Sequence, residues 1–185
     1  MPVGTTTRRV TSLTTHAPVT TMKTWRCPTY RVSTLTELAD RVGDMGAATL
    51  IVDAEPMLAE WDTDAHALRL GIEALVAELS SRNLAVALVV ATNSGRPDPV
   101  PQPRADHVFV ARARKPWAVR HYASSARPLA VVGDQPATDG LLAWRLDATY
   151  LRWTGRGCTH PPFWPRIQHA ASGLLRPLFH ERSGR

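Results

Sequence analysis

The sequence predicts an α/β domain built on a parallel sheet covered by helices. Three observations carry that expectation. Short, largely apolar runs, most with β-branched members, recur along the chain, at Thr49–Val52, Leu84–Val90, His107–Val110, Pro128–Val132 and Ala148–Leu151. Segments with helical spacing or helix-start signals separate them. The runs are apolar at consecutive positions, with few polar members, rather than at alternate ones, as expected of strands buried on both faces.

Each element has a local reason. Ser33-Thr34 precedes Leu35, Leu38 and Val42, with Gly43 beyond, which reads as a short capped helix. Thr49–Val52 stops at Asp53. Asp62, Thr63 or Asp64 can cap the next helix, whose apolar positions Leu68, Ile72, Leu75, Val76 and Leu79 share one face. Leu84–Val90 ends at Ala91-Thr92-Asn93. The prolines of Ser94–Pro103 read as a loop, and Pro116 can open a helix over 116–123. Pro128–Val132 ends at Gly133-Asp134, and a helix over Thr138–Arg145 follows. Residues 1–30, rich in Thr, Pro and Arg without a period, are expected to form a flexible tail. The globular domain is then expected over 31–155, with a separate C-terminal segment over 156–185.

Composition excludes several classes. At 185 residues and 44% hydrophobic, the chain suits one domain with a real core. No apolar run approaches the roughly 18–20 residues of a membrane span. Thr7-Arg8-Arg9-Val10 lacks the apolar stretch that an export signal needs, so the expected location is cytoplasmic. Cys27 and Cys158 show neither a disulfide framework nor a zinc spacing. The formal charge of +6 comes almost wholly from arginine, Lys23 and Lys115 being the only lysines. Without a zinc finger, an aromatic RNA-binding pattern or a dense basic run, no nucleic-acid partner is expected.

In a parallel sheet, ligands bind at the carboxyl ends of the strands. Asp53, Thr92 and Asp134 each stand where an apolar run ends. One such aspartate alone more often caps a turn; three polar residues delivered to one edge make a candidate site.

Four segments taken in order resemble the motifs of the haloacid dehalogenase (HAD) superfamily. These are Asp53-Ala54-Glu55-Pro56-Met57, Ala91-Thr92-Asn93, Ala113-Arg114-Lys115-Pro116, and Val132-Gly133-Asp134 with Asp139 five residues on. The closest likeness is to the cap-less phosphatases of the YqeG and phosphatidylglycerophosphate phosphatase type, over about residues 25–153. The resemblance implies a Rossmann-like three-layer sandwich without a large cap domain. The short spacing between the first three motifs leaves no room for a cap, and an open site suits a large substrate.

It further implies a magnesium-dependent hydrolase of phosphomonoesters. Asp53 would be the nucleophile, forming an aspartyl-phosphate. Asp53, Asp134, Asp139 and the backbone carbonyl of Glu55 would surround Mg2+, a hard cation that prefers oxygen ligands. Thr92, Asn93 and Lys115 would hold the phosphoryl group. The implied partner is a phosphorylated small molecule or a lipid headgroup such as phosphatidylglycerophosphate.

The first motif departs from the family pattern. Glu55 stands where the family has its acid/base aspartate, and Met57 where it has threonine. An added methylene displaces a carboxyl group by about 1–1.5 Å, and an error of about 1 Å can lower a rate about 100-fold. Two readings therefore stand side by side: a phosphatase, and a degenerate HAD domain that binds a phosphorylated ligand or a protein partner without turnover.

Pro161–His180, with Phe163, Trp164, Ile167, Leu174, Leu175, Leu178 and Phe179, suggests an amphipathic helix. It would pack on the domain or lie at the inner face of the membrane, and a peripheral membrane adaptor acting through this segment is the third reading. Trp61, Trp117, Trp144 and Trp153 read as packing residues.

Overall fold

A computed structural model describes residues 26–61, 63–100, 107–155, 167 and 172–181. The fold is α/β and Rossmann-like. Its strands are β1 (Cys27–Val32), β2 (Thr49–Asp53), β3 (Ala87–Ala91), β4 (His107–Val110), β5 (Leu129–Gly133), β6 (Thr149–Trp153) and β7 (Phe179–Glu181). They form one open sheet in the order β4-β3-β2-β5-β6-β1-β7, and every pair is parallel.

Helices cover both faces. α1 (Leu35–Asp44) begins at Thr34, whose side chain accepts the Glu37 amide, while Glu37 Oε2 accepts from the Ser33 amide and hydroxyl at 2.7 and 2.8 Å. These reciprocal bonds form the capping box that Ser33-Thr34 foreshadowed. α1 runs through Gly43, and the chain turns at Gly46, whose φ of 57° favours glycine. α2 (Ala65–Ser81) is capped by Asp64, which accepts from the Ala67 amide at 2.8 Å.

The pleat divides the core. Leu50 and Val52 of β2 face Leu38, Val42, Leu68, Ile72, Leu75 and Leu79 of the two helices. Ile51 faces the other way, toward Tyr122, Leu142, Ala143, Leu146 and Tyr150. Burial on both faces explains the unbroken apolar runs. Gly71 on α2 meets the backbone of the turn after β2, because a Cβ there would fall 2.0 Å from the Leu58 carbonyl oxygen. Gly71→Ala is therefore expected to lower stability by about 1–3 kcal/mol in a denaturant titration, since rigid backbone must move.

Four expectations need correction. β1 starts at Cys27, so the expected boundary between tail and domain at residue 30 falls inside a strand. Pro and Thr in Cys27-Pro28-Thr29 hid it. Over 116–123 the chain forms a turn and a 3-10 helix at Val119–Tyr122 rather than a regular helix. The segment expected as one helix over Thr138–Arg145 is a π-helical turn, Pro136–Gly140, leading into α3 (Leu141–Leu146). The described end of the C-terminal segment is a 3-10 helix, Ser172–Leu178, followed by β7, not a helix running to His180. Residues 161–166 of that expected helix, the N-terminal residues 1–25 and Cys158 lie outside the described residues.

Candidate functional site

The strand order reverses beside β2. The chain moves outward from β2 to β3 and β4, then returns to place β5 on the other side of β2. Connections leaving β2 and β5 diverge there, opening a crevice at the carboxyl ends of the two strands. Register aligns those ends: Val52 pairs with Val132, and Asp53 with Ala91. Asp53, Thr92 and Asp134 therefore emerge from three adjacent strands at one level.

The π-helical turn brings in a fourth group. Asp139 folds back over the end of β5, where a Cβ on Gly133 would lie 2.3 Å from the Asp139 carboxyl carbon. Only glycine leaves that space, which gives the Gly133-Asp134 pair a steric reason. Asp139 Oδ2 accepts from the Gln135 amide at 3.3 Å and from the Thr138 hydroxyl at 3.2 Å.

Lys115 completes the cluster. Its ammonium lies 2.7 Å from Asp53 Oδ1 and 2.8 Å from Asp139 Oδ1. Asn93 positions the lysine backbone, accepting from its amide at 2.7 Å and donating to its carbonyl at 3.3 Å. The loop after β3 is further joined to the loop after β4 by bonds from Arg112 N to Ser94 O and from Ala113 N to Thr92 O, both 2.8 Å. Arg112 and Arg114 take left-handed φ values of 49° and 51° on either side of Ala113. Their side chains are exposed while Ala113 and Lys115 turn inward.

Carboxylate oxygens of Asp53, Asp134 and Asp139 lie within 4.8 Å of one another. Three acids thus face one ammonium in a mostly buried space. Burial raises the Asp53 carboxyl well above its usual range, Asp139 and Asp134 add to the rise, and Lys115 only partly opposes it. Burial, then the charge of Asp139, pushes Asp134 up to about 7. For Lys115 burial disfavours the charged form, but Asp139 and Asp53 outweigh it and hold the ammonium above its ordinary range. Among the described residues, buried Asp134 Oδ1 has no hydrogen-bond partner. The cluster is short of positive charge and has an oxygen to spare, and it offers only hard oxygen donors. A divalent cation of the magnesium type fits both the charge and the donor set.

Glu55 and Thr92 sit apart from that cluster. Glu55 is fully buried. Its Oε2 accepts from the Thr92 hydroxyl at 2.6 Å, and its Oε1 lies 3.2 Å from the Arg96 guanidinium. Thr92 Oγ1 also accepts from the Ser94 amide at 3.0 Å. Arg96 reaches the carbonyls of Glu60 at 3.3 Å and Asp64 at 2.9 Å, and also that of Thr63. Glu55, Thr92 and Arg96 form a network that ties the loop after β2 to the loop after β3. Met57 is buried in the core beside it. Sequence reasoning had not singled out Arg96, because one arginine among so many carries no mark.

Comparisons of the chain with family models, with curated proteins and with solved structures find no match. Among the described residues no helix is long and apolar enough to cross a membrane.

Proposed function

We propose that the chain is a magnesium-dependent phosphomonoester hydrolase of the cap-less HAD type. The convergence of Asp53, Asp134, Asp139 and Lys115 at the crevice between β2 and β5 carries this reading.

Asp53 is the proposed nucleophile. One of its oxygens attacks phosphorus, the bond to the ester oxygen breaks, and an aspartyl-phosphate forms that water then hydrolyses. Lys115 holds a compact positive charge between Asp53 and Asp139, oriented from behind by Asn93, and lowers the repulsion between an anionic nucleophile and an anionic substrate. Asp53, Asp134 and Asp139 are the side chains that would hold magnesium, which supplies further neutralisation of the phosphoryl oxygens when bound. Substrates with a phosphate on a larger body, a lipid headgroup among them, suit a site without a cap.

One observation favours a second reading, a domain that binds a phosphorylated ligand without turnover. The leaving oxygen must take a proton, and Glu55 stands at the position that would supply it. Both its oxygens are engaged by Thr92 and Arg96.

Hydrolysis of p-nitrophenyl phosphate with and without Mg2+, by the natural chain and by Glu55→Asp, separates the two. Magnesium-dependent turnover by the natural chain is the expected result. No turnover in the natural chain together with a gain in Glu55→Asp would support the binding module instead. No turnover in either rules out the phosphatase.

A further inference from the structure

The C-terminal strand has a part in the site. We propose that Phe179 is a positioning residue for Asp139, acting through the π-helical turn that carries it; the proposal rests on the reading of the carboxylate cluster as a magnesium-dependent site.

The contacts form a continuous path. A Cβ on Gly140 would fall 2.7 and 2.8 Å from Phe179 Cζ and Cε1, and 3.1 Å from Tyr150 Cε1. The edge of the Phe179 ring therefore rests on the backbone of the residue next to Asp139. The ring also packs on Tyr150, with centroids 5.5 Å apart. Tyr150 is fully buried, and its hydroxyl donates to the Gly133 carbonyl at 3.0 Å. Gly133 is the residue over which the Asp139 carboxyl lies. Asp139 is thus seated between a floor, Gly133 braced by Tyr150, and a turn pressed down by Phe179. The 3-10 helix Ser172–Leu178 lies against the same turn.

Asp139 N donates to Gln135 O at 2.9 Å, but the bonds from Thr138 N and Gly140 N to the same oxygen are longer, 3.2 and 3.4 Å. Leu141 N closes the turn onto Pro136 O and Thr138 O, and Lys115, the Gln135 amide and the Thr138 hydroxyl hold the carboxylate, while the Phe179 ring limits how far the turn's backbone can move from that seat. Outside the ring, β7 is lightly attached. It pairs with β1 over three residues, and Glu181 adds exposed ion pairs, a forked one to Arg31 at 2.9 Å and one to Arg152 at 3.7 Å.

The test uses the full chain with Phe179→Ala and Phe179→Leu. Phe179 is half-buried on an edge strand, so the core survives its truncation; Phe179→Val, with a smaller cavity, serves if Phe179→Ala does not fold. Calorimetric titration with MgCl2 is expected to show the dissociation constant raised about tenfold in Phe179→Ala and close to the natural value in Phe179→Leu. In the metal-free protein the Asp139 amide resonance is expected to move further in Phe179→Ala than in Phe179→Leu, which loses the same ring current. A lowered melting temperature with an unchanged dissociation constant would mean that Phe179 only stabilises the edge, and would overturn the proposal. If the natural chain does not bind Mg2+, the magnesium reading fails separately. The Asp139 resonance then decides: the same in Phe179→Ala as in Phe179→Leu, which loses the same ring current, it overturns the positioning role; displaced in Phe179→Ala relative to Phe179→Leu, it upholds it.

Discussion

Asp53→Asn is expected to lower magnesium-dependent phosphatase activity at least about 10^4-fold while leaving the fold intact, because an amide cannot attack phosphorus and loss of a covalent nucleophile removes the whole route. The same substitution is expected to raise the melting temperature of the metal-free protein. Burial and two neighbouring acids disfavour the Asp53 carboxylate, so its removal relieves the native state. Millimolar Mg2+ should stabilise the natural chain, by about 2.7 kcal/mol at a hundredfold excess over the dissociation constant, and should do little for Asp53→Asn. Asp134 sets the sign of the pH dependence. Its carboxyl lies at about 7 in the fold against 3.8 ordinarily, so the native state binds the extra proton between those values. Stability of the metal-free chain is therefore complete below about pH 4 as far as this group goes, and is lost as pH rises to about 7. Differential scanning fluorimetry across that range, with EDTA and with Mg2+, checks both statements. A melting temperature in EDTA that climbs with pH and is unaffected by Asp134→Asn would contradict them.

Arg96→Ala should be among the most damaging single substitutions outside the hydrophobic core. It strips the counter-charge from Glu55, whose side chain is fully buried, and leaves the Asp64 and Glu60 carbonyls without that donor. Breaking a buried pair in this way costs about 3–5 kcal/mol. For a chain of this size the melting temperature would fall by roughly 10 °C. Arg96→Ala/Glu55→Gln should recover part of the loss, since the stranded charge is gone. A double variant no better than Arg96→Ala would show that the carbonyl contacts, not the ion pair, carry the effect.

The parallel sheet was legible because burial on both faces writes itself as unbroken apolar runs: β2 and β5 are bounded to within a residue by Thr49–Val52 and Pro128–Val132. The candidate site residues Asp53 and Asp134 were legible for a related reason, each standing where such a run ends, whereas Lys115 was picked out only by the resemblance of Ala113-Arg114-Lys115-Pro116 to a family motif. Two kinds of feature stayed hidden. β1 and β7 are edge-side strands built from sequences such as Cys-Pro-Thr and Phe-His-Glu, whose partners lie far along the chain. Tertiary pairing overrides their weak local preference. The partner of Glu55 was hidden too. Charge pairing across 41 residues leaves no periodic trace, and arginine is too frequent here for one copy to stand out. Thr92 was expected to face the phosphoryl group, but its hydroxyl is committed to Glu55, a choice made by the longer glutamate reaching across the strand ends.

The pairing of β1 with β7 joins chain segments about 150 residues apart. Contacts of such sequence separation form late, because closing the largest loop waits on everything inside it. Synthesis proceeds from the N-terminus, so a nascent chain that stops short of Phe179 holds β1 with that flank open. Asp139 is then without the ring that presses on its turn. A nascent fragment long enough to contain Asp53, Lys115, Asp134 and Asp139 but not Phe179 therefore lacks the ring that braces the acidic crevice.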